Sequence, residues 1–496
     1  MKMENQLFYG DNLDVLRRHI KDDSIDLCYI DPPFNSKRNY NQIYNNIGKE
    51  DQAQAQAFID TWTWDDYANQ GLAEILENYQ GKFTSQSIDL IAGLTKVLSK
   101  GSLLAYLIHI TLRVVEIHRV LKPTGSFYLH CVPTASHYLK LILDTIFCSQ
   151  GGDFRNEIIW CYRGGGSPKK DFGRRHDVIL RYSKTNEYEF NKNAIRIPYQ
   201  AEGIGRKDDA MWGKHKGTNK VYKPHPLGKI PEDWWLMNIL NANDPERLGY
   251  PTQKPEELLE RIIKVSSNEG DVVLDAYCGC GTTVAVSQRL NRQWIGIDIT
   301  YQSISLILKR LEDSFGKGVL EQLKLNGIPK DLEAAVALAN KKDDRTRKEF
   351  EKWAVLTYTN NRAIINAKKG ADKGIDGIAY FQGDKDEPEK IIVQVKSGKV
   401  QSGDIRDLQG TITLEQAALG IFISLKEPTK DMIKTAKSAG IYQSRYMNQS
   451  SDKIQIVTIK EMLEQKKRLD VRLSLEVVKS AEKQMEVKGK QLELDI

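Results

Sequence analysis

The sequence of 496 residues predicts an α/β protein that is built on an open, mainly parallel sheet and carries a smaller α/β domain behind it. An apolar run predicts a buried strand that ends at Asp31. A second such strand ends at Asp275 and leads through a glycine loop into a helix, and a third ends at Asp298. Because ligands of open α/β sheets bind at the carboxyl ends of strands, we expect these carboxylates to share one edge of the sheet.

The first of these strands is followed by Asp31, Pro32, Pro33 and Phe34. An exocyclic amine such as that of adenine is a poor nucleophile, because its lone pair is delocalised into the ring. Asp31 and the Pro32 carbonyl can accept hydrogen bonds from such an amine, and Phe34 offers a ring on which an extruded base can stack. The same four residues are also compatible with an ordinary strand-to-loop turn.

The glycine loop suits a cofactor that combines a nucleoside with an amino acid. Gly279 and Gly281 let the backbone approach a ligand, and Asp275 places a negative charge where a cationic group could be held. The spacing to Asp298 is that of a strand–helix–strand unit whose acidic residue binds ribose hydroxyls. The loop lacks G-x-G-x-x-G and a Walker lysine, so cofactors that contain a pyrophosphate are disfavoured.

Further motifs lie at residues 9–16, 121–130 and 250–255. With the tetrad and the glycine loop, they make residues 1–315 resemble the S-adenosylmethionine-dependent DNA amino-methyltransferases of the beta arrangement. The resemblance implies a Rossmann-like methyltransferase sheet, S-adenosylmethionine as cofactor and catalysis by the residues from Asp31 to Phe34. It also implies a set of cofactor-site residues: Asp275, Cys278, Gly279, Gly281, Thr282, Thr283, Asp298, Gln253, Lys254 and Pro255.

The aspartate in the tetrad bears on the target base. By the same resemblance, an aspartate at position 31 favours N6 of adenine in double-stranded DNA, whereas enzymes that act on N4 of cytosine more often carry serine there. Methylation of N4 of cytosine stays open as an alternative. Fold alone does not fix the substrate, so RNA or protein is a further alternative.

Two inserts are expected within the methyltransferase region. Residues 40–120 show helical periodicity and predict a packed helical insert. Residues 151–250 predict a target-recognition region, with a basic loop at 163–176 that suits phosphate contact or, alternatively, is simply solvated. Further basic and aromatic residues of this region are Arg206, Lys207, Lys214, Lys216, Trp212, Trp234 and Trp235.

A helical linker at 316–345 is expected to lead to an α/β restriction-endonuclease-like domain at 346–465 and a helical tail at 466–496. In that domain Asp376 enters one strand, while Gln394 and Lys396 alternate on the next, so all of them would face one point. Asp376 and Gln394 would bind Mg²⁺, and Lys396 would activate water for phosphodiester cleavage.

This pattern resembles the Mrr-like branch of the PD-(D/E)xK nucleases. Gln394 stands where an acid is usual and supplies no negative charge, so metal binding should be weaker. Glu351 is a weaker candidate for the same site. The alternative is that Asp376 is merely buried or solvated, and that Gln394 and Lys396 lie on an exposed strand face.

Composition agrees with a DNA-binding protein. The formal net charge of +6 suits a polyanionic partner. No signal peptide is evident and no apolar run is long enough to cross a bilayer, so we expect a cytoplasmic protein without a membrane partner. The six cysteines are expected to be reduced.

Two hypotheses follow: a restriction–modification protein that methylates and cuts DNA, or a methyltransferase with a non-cleaving DNA-binding C-terminal domain; both allow a homodimer.

Overall fold

The computed structural model describes residues 4–33, 38–43, 54–60, 62, 64–163, 168–199, 225–241, 244–248, 250, 252–340, 344–359, 363–365, 374–384, 387–443 and 450–469. Phe34, Pro251, the centre of the basic loop and the residues Arg206, Lys207, Trp212, Lys214 and Lys216 lie outside these ranges, as does the tail from 470 onward.

The larger α/β unit extends to residue 340. Its strands are β1 (Gln6–Tyr9), β2 (Ile25–Ile30), β3 (Arg38–Ile43), β4 (Gln54–Asp60), β5 (Leu121–Cys131), β6 (Asp153–Cys161), β7 (His176–Ser183), β8 (Trp234–Leu236), β9 (Val272–Asp275), β10 (Gln293–Asp298) and β11 (Lys324–Asn326). Its helices are α1 (Asn12–His19), α2 (Asp66–Leu76), α3 (Ser85–Leu98), α4 (Ser102–Val120), α5 (Pro133–Phe147), α6 (Glu256–Ser266), α7 (Thr282–Arg289), α8 (Tyr301–Phe315), α9 (Gly318–Glu321) and α10 (Leu332–Ala339).

Nine strands form one sheet in the order β11-β1-β10-β9-β2-β5-β7-β6-β8. The strands from β11 to β5 are parallel to their neighbours, and β7 is antiparallel to both β5 and β6. Strands β9 and β10, from late in the chain, lie between β1 and β2, from its beginning. The turns after β2, β9 and β10 therefore lie along one edge. The predicted open α/β sheet is present as a mixed sheet, which is parallel from β11 to β5 and antiparallel around β7.

The predicted helical insert is only partly helical. A two-stranded antiparallel hairpin of β3 and β4 precedes helices α2, α3 and α4. Helix α4 is apolar around most of its circumference and is buried, as a helix without a polar face must be. It packs on α1, α2 and α5 and covers one face of the sheet.

The predicted target-recognition region extends the sheet through β6, β7 and β8. The side chain of Trp234 is 44% exposed, whereas that of Trp235 is only 6% exposed, because neighbouring residues on β8 point to opposite faces. Trp235 thus belongs to the core rather than to a DNA-facing surface. In the described part of the basic loop, Phe172 is 98% exposed.

The segment predicted as a helical linker contains α9 and α10 but also β11, which pairs in parallel with β1. This strand was not expected, because it is only three residues long and two of them are polar. The segment is therefore part of the larger sheet as well as a connection.

The smaller α/β domain follows. Its elements are α11 (Asp344–Tyr358), β12 (Ile364–Ile365), β13 (Gly377–Asp384), β14 (Glu387–Lys396), α12 (Ser402–Leu414), β15 (Leu419–Ser424), α13 (Lys430–Ser438), β16 (Ile441–Gln443), β17 (Ser450–Asp452), β18 (Ile454–Thr458) and α14 (Ile459–Glu464). The main sheet has the order β12-β13-β14-β15-β18, with β13 antiparallel to β14 and the last three strands parallel.

All six cysteines are free thiols in this structure. Across the described ranges, no helix has the length and apolar character that crossing a membrane requires.

Candidate active site

Asp31 follows β2 directly and is held by a lysine from the other half of the chain. Its Oδ2 accepts a hydrogen bond from Nζ of Lys254 at 2.5 Å. Lys254 is only 8% exposed and lies just before α6. The structure pairs Lys254 with the predicted catalytic carboxylate and so fixes the orientation of Asp31. The role of Lys254 in the cofactor site, which the resemblance implied, stays a prediction.

Lys254 also connects this carboxylate to the glycine loop. Its backbone carbonyl accepts a hydrogen bond from Oγ1 of Thr282, the first residue of α7, at 3.3 Å. Oγ1 of Thr282 in turn accepts from Nη1 of Arg310 at 3.2 Å. A continuous chain of contacts therefore runs from Asp31 through Lys254 to the start of α7, and it joins two segments that are distant in sequence.

Asp275, at the end of β9, is a buried carboxylate. Oδ1 accepts from the backbone N–H of Tyr277 at 3.0 Å, and Oδ2 accepts from Oγ1 of Thr283 at 2.6 Å. Burial, opposed by these hydrogen bonds, raises the pKa of Asp275 to about 7. No cationic side chain pairs with it within the described part of the chain. A buried acid in this state would be stabilised by a positively charged ligand group.

Asp298, at the end of β10, holds the glycine loop. Oδ2 accepts from the N–H of Gly279 at 2.9 Å, and Oδ1 accepts from the N–H and Oγ1 of Thr300 at 2.9 and 3.0 Å. Burial raises the pKa of Asp298 to about 6. An acidic residue at the end of this strand is in the position from which ribose hydroxyls are bound in such strand–helix–strand units.

The loop itself depends on glycine at two positions. Gly279 and Gly281 have φ angles of +48° and +75°, in the left-handed region. A Cβ on Gly281 would also lie 2.7 Å from Cγ1 of Ile307 on α8. Cys278 and Cys280 are buried thiols of the same loop.

Replacing Gly281 with alanine should lower the free energy of unfolding by about 2–4 kcal/mol, because left-handed strain adds to a clash with Ile307. Gly270 is the matched control: its φ is +86°, and a Cβ there meets nothing within 4 Å. Gly270→Ala should therefore lose only about 1–2 kcal/mol. Denaturant unfolding of both variants measures the difference, and equal losses would contradict the packing argument.

Two of the residues assigned to the cofactor site by resemblance have structural partners. Gln253 donates from Nε2 to the carbonyl of Glu246 at 2.8 Å and accepts from the N–H of Leu248 at 2.8 Å. It therefore stabilises the preceding loop. Pro255 is the N-cap residue of α6 and sets the direction in which that helix leaves Lys254.

The sequence interpretation missed a group of polar residues on α1 and α4. Nδ2 of Asn12 donates to the carbonyl of Ala276 at 2.8 Å, and Oδ1 of Asn12 accepts from Nε of Arg113 at 2.6 Å. His109 lies one turn before Arg113 and forms a 2.8 Å hydrogen bond with the hydroxyl of Tyr277. His109 and Arg113 have the i, i+4 spacing of one helix face, and this was the available sequence signal.

A second missed network lies beneath Asp31. The hydroxyl of Tyr29 lies 2.8 Å from Nδ1 of His130, and Nε2 of His130 lies 3.2 Å from Oδ2 of Asp177. Although burial opposes it, the hydrogen bond and charge of His130 lower the pKa of Asp177. This network connects β2, β5 and β7 below the predicted catalytic turn.

In the smaller domain, the structure brings Asp376 and Gln394 together. Oδ2 of Asp376 accepts from the N–H of Val395 at 2.7 Å, and a Cβ on Gly374 would lie 2.7 Å from Nε2 of Gln394. Gln394 is 6% exposed, and its buried Oε1 has no hydrogen-bond partner within the described ranges. Lys396 is half-buried two residues further along β14.

The donor set around this point is small. No group of three or more His, Cys, Asp or Glu side chains that could hold a metal occurs among the described residues. Asp376 contributes one carboxylate and Gln394 one amide oxygen, while Glu351 is half-buried on α11.

An open sheet whose acidic strand ends lie beside a glycine loop is typical of α/β proteins that bind nucleosides. The chain belongs to the N6/N4 DNA methylase family, whose model, described as DNA methylase, matches residues 25–309. Residues 347–464 match a second family model, described as NACHT-associated inactive Restriction Endonuclease 1. The Mrr-like assignment and DNA cleavage stay predictions.

Similar proteins include the type II methyltransferase M.BglII of Bacillus subtilis, which is 36% identical over 203 residues; the match covers 38% of this chain and 54% of that protein. M.HpaI of Haemophilus parainfluenzae is 33% identical over 218 residues, which cover 44% of this chain and 63% of that protein. The match to the DNA adenine methyltransferase YhdJ of Escherichia coli K12 is 28% identical over 312 residues and covers 62% and 82% of the two chains. The chain thus spans less than two thirds of the length of the first two relatives.

Proposed function

We propose that this protein transfers a methyl group from S-adenosylmethionine to the exocyclic N6 amine of adenine in double-stranded DNA. The observation that carries the proposal is the contact chain from Asp31 through Lys254 to Thr282. It fixes an acceptor for an amine beside a glycine loop that has one buried acid, Asp275, and one half-buried acid, Asp298. The similarity to YhdJ, described as a DNA adenine methyltransferase, supports adenine as the target.

The cofactor assignment is supported by the state of Asp275. A pKa of about 7 marks a buried carboxylate without a cation, and the ammonium group of the cofactor's amino-acid part would supply one. We assign Asp298, at the end of β10, as the acceptor for ribose hydroxyls. When bound, S-adenosylmethionine supplies an electrophilic methyl group on a sulfonium.

The protein's own contribution to the reaction is positioning and hydrogen bonding. Asp31, oriented by Lys254, accepts a hydrogen bond from the exocyclic N–H, and the Pro32 carbonyl is a second acceptor. These hydrogen bonds raise the electron density on the amine nitrogen. The carboxylate of Asp31 accepts the proton that the amine loses when its new N–C bond forms. We assign stacking of the extruded base to Phe34, and contact with the DNA backbone to the basic loop that carries the exposed Phe172.

The base can be identified directly. Unmethylated double-stranded DNA is incubated with the full chain and labelled S-adenosylmethionine, digested to nucleosides and separated. We expect the label in N6-methyladenine. Label in N4-methylcytosine would reverse the choice of base, which is the alternative that the sequence left open, and would leave the rest of the proposal intact.

DNA cleavage by the smaller domain is the second candidate function, and the unpartnered Oε1 of Gln394 beside Asp376 favours it. These two residues would hold Mg²⁺, and Lys396 would polarise a water molecule. The fit is poor, however, because a single carboxylate gives a weak site for a hard cation. We therefore propose that the domain binds DNA without cutting it, in agreement with the matched family's description as inactive.

Wild-type protein should leave unmethylated DNA intact in millimolar Mg²⁺ or Mn²⁺. The variant Gln394→Glu adds the missing negative charge and should increase the affinity for Mn²⁺ about tenfold. Titration of Mn²⁺ into the two proteins measures the difference, with Gln401→Glu, outside this site, as control. Cleavage by wild-type protein that is lost in Lys396→Ala would instead establish the nuclease.

A cytoplasmic location and a homodimer stay predictions.

A further inference from the structure

A buried carboxylate of the smaller domain reaches into the larger one. Glu349, on α11, is 7% exposed, and its Oε2 accepts two hydrogen bonds from residues of the methyltransferase unit. The hydroxyl of Tyr9 donates to it at 3.2 Å, and the backbone N–H of Tyr301 donates at 3.2 Å. Nζ of Lys352 holds the other oxygen of Glu349 at 2.6 Å.

Both donors stand next to the partners of Asp298. Tyr9 precedes Gly10, whose N–H donates to the backbone carbonyl of Asp298 at 2.9 Å. Tyr301 follows Thr300, which donates twice to the Asp298 carboxylate. Glu349 thus restrains two segments that contact Asp298. In each segment, the residue that Glu349 binds is the sequence neighbour of the residue that binds Asp298.

The contact with Tyr301 has a further physical consequence. Tyr301 is the first residue of α8, and the N–H groups of a first helical turn have no partner within the helix. A carboxylate supplied there satisfies one of them and interacts favourably with the helix dipole. Here the smaller domain supplies that carboxylate, although Thr300 already caps the helix through the N–H of Ser303.

Packing around Glu349 makes this contact a fixed part of the structure. The rings of Tyr9 and Tyr301 meet edge to face at 5.9 Å between their centroids, and the hydroxyl of Tyr301 lies 3.3 Å from Oγ1 of Thr357, two turns further along α11. Buried side chains of α8, such as Ile304, and of α11, such as Trp353, belong to one continuous apolar core.

We propose that Glu349 is a positioning residue of the S-adenosylmethionine site, so that the smaller domain completes the methyltransferase unit. The inference rests on the proposed function, because it assigns a cofactor to the Asp298 turn. Glu349 does not touch the reacting atoms. It holds the turn that carries Asp298 in the conformation that binds ribose. Glu349 therefore acts through Asp298, as a residue that fixes the geometry of a binding group.

The test compares variants of the full-length chain by calorimetric titration of S-adenosylhomocysteine and by steady-state kinetics. Glu349→Ala should weaken binding and raise the KM for S-adenosylmethionine about tenfold, with kcat and the KM for DNA within about twofold of wild type. Glu349→Gln, whose amide oxygen can still accept both hydrogen bonds, should restore affinity to within about twofold of wild type. Lys352→Gln, which removes only the ion pair, is the matched control and should bind normally.

Wild-type affinity in Glu349→Ala, or an equal loss in Glu349→Gln, would overturn the inference. Absence of binding by the wild type would overturn the proposed function itself, and the inference with it. Thermal unfolding establishes that each variant is folded. If Glu349→Ala does not fold, Tyr9→Phe removes a single hydroxyl and should weaken cofactor binding severalfold, whereas unchanged affinity in that variant would contradict the proposal.

Discussion

Replacing Asp31 with asparagine should lower kcat for DNA methylation by about a thousandfold while leaving the affinity for S-adenosylmethionine within a fewfold of wild type. Asparagine keeps the size of the side chain but removes the charge that accepts the amine proton and pairs with Lys254. Single-turnover transfer of labelled methyl groups, measured beside calorimetric binding of the cofactor, separates the two quantities.

Asp26 provides a matched control on the same strand. It lies on β2 near the end opposite Asp31, and it too pairs with a lysine, since Nζ of Lys122 lies 2.7 Å from its Oδ1. Asp26→Asn removes a comparable ion pair far from the predicted catalytic edge and should leave kcat nearly unchanged. If both variants lost activity equally, the effect of Asp31 would be one of stability, and its catalytic assignment would be wrong.

Asp275→Asn should abolish cofactor binding and at the same time stabilise the ligand-free protein at pH 8. Burial raises the pKa of Asp275 from its ordinary 3.8 to about 7. Because the folded-state pKa lies above the unfolded one, the stabilisation from protonating Asp275 is complete below about pH 4 and is lost as pH rises through about 7. Asparagine resembles the protonated form at every pH.

The stability difference between Asp275→Asn and wild type should therefore shrink by about 2–3 kcal/mol between pH 8 and pH 5, because wild-type Asp275 takes up its proton over this range. Burial also raises the pKa of Asp298 to about 6, and its charge contributes to the raised pKa of Asp275, so the same comparison is repeated with Asp298→Asn in both proteins. Denaturant unfolding at the two pH values measures the difference. A difference independent of pH would show that Asp275 carries its charge in the ligand-free fold.

The main sheet could be predicted because the sequences of its central strands are typical of buried strands. The strands β2, β9 and β10 are buried on both faces and therefore read as nearly continuous apolar runs, each ending at an acidic residue. From this pattern the sequence predicts that Asp31, Asp275 and Asp298 lie at one edge of the sheet. Strand β11 has only three residues, two of them polar, so it has no such pattern and was missed.

The partners of polar side chains could not be predicted, because they lie far away in sequence. Arg113 is 101 residues from Asn12, and Glu349 is 340 residues from Tyr9, so neither contact leaves a local pattern. Lys254 shows the same limit: its motif was recognised, but its pairing with Asp31 depends on strand order. The hydrogen bonds of the Gln253 amide to Glu246 and Leu248 could not be predicted either, and its place in the cofactor site stays a prediction.

We expect the sheet edge formed by Asp31, Asp275 and Asp298 to methylate a DNA base. The most direct measurement is a competition in which the full chain, with labelled S-adenosylmethionine, meets equal amounts of unmethylated double-stranded DNA, RNA and an unrelated protein. We expect label in the DNA fraction, on adenine, and its loss in Asp31→Asn. Label in RNA or protein, or equal labelling of DNA by Asp31→Asn, would contradict it.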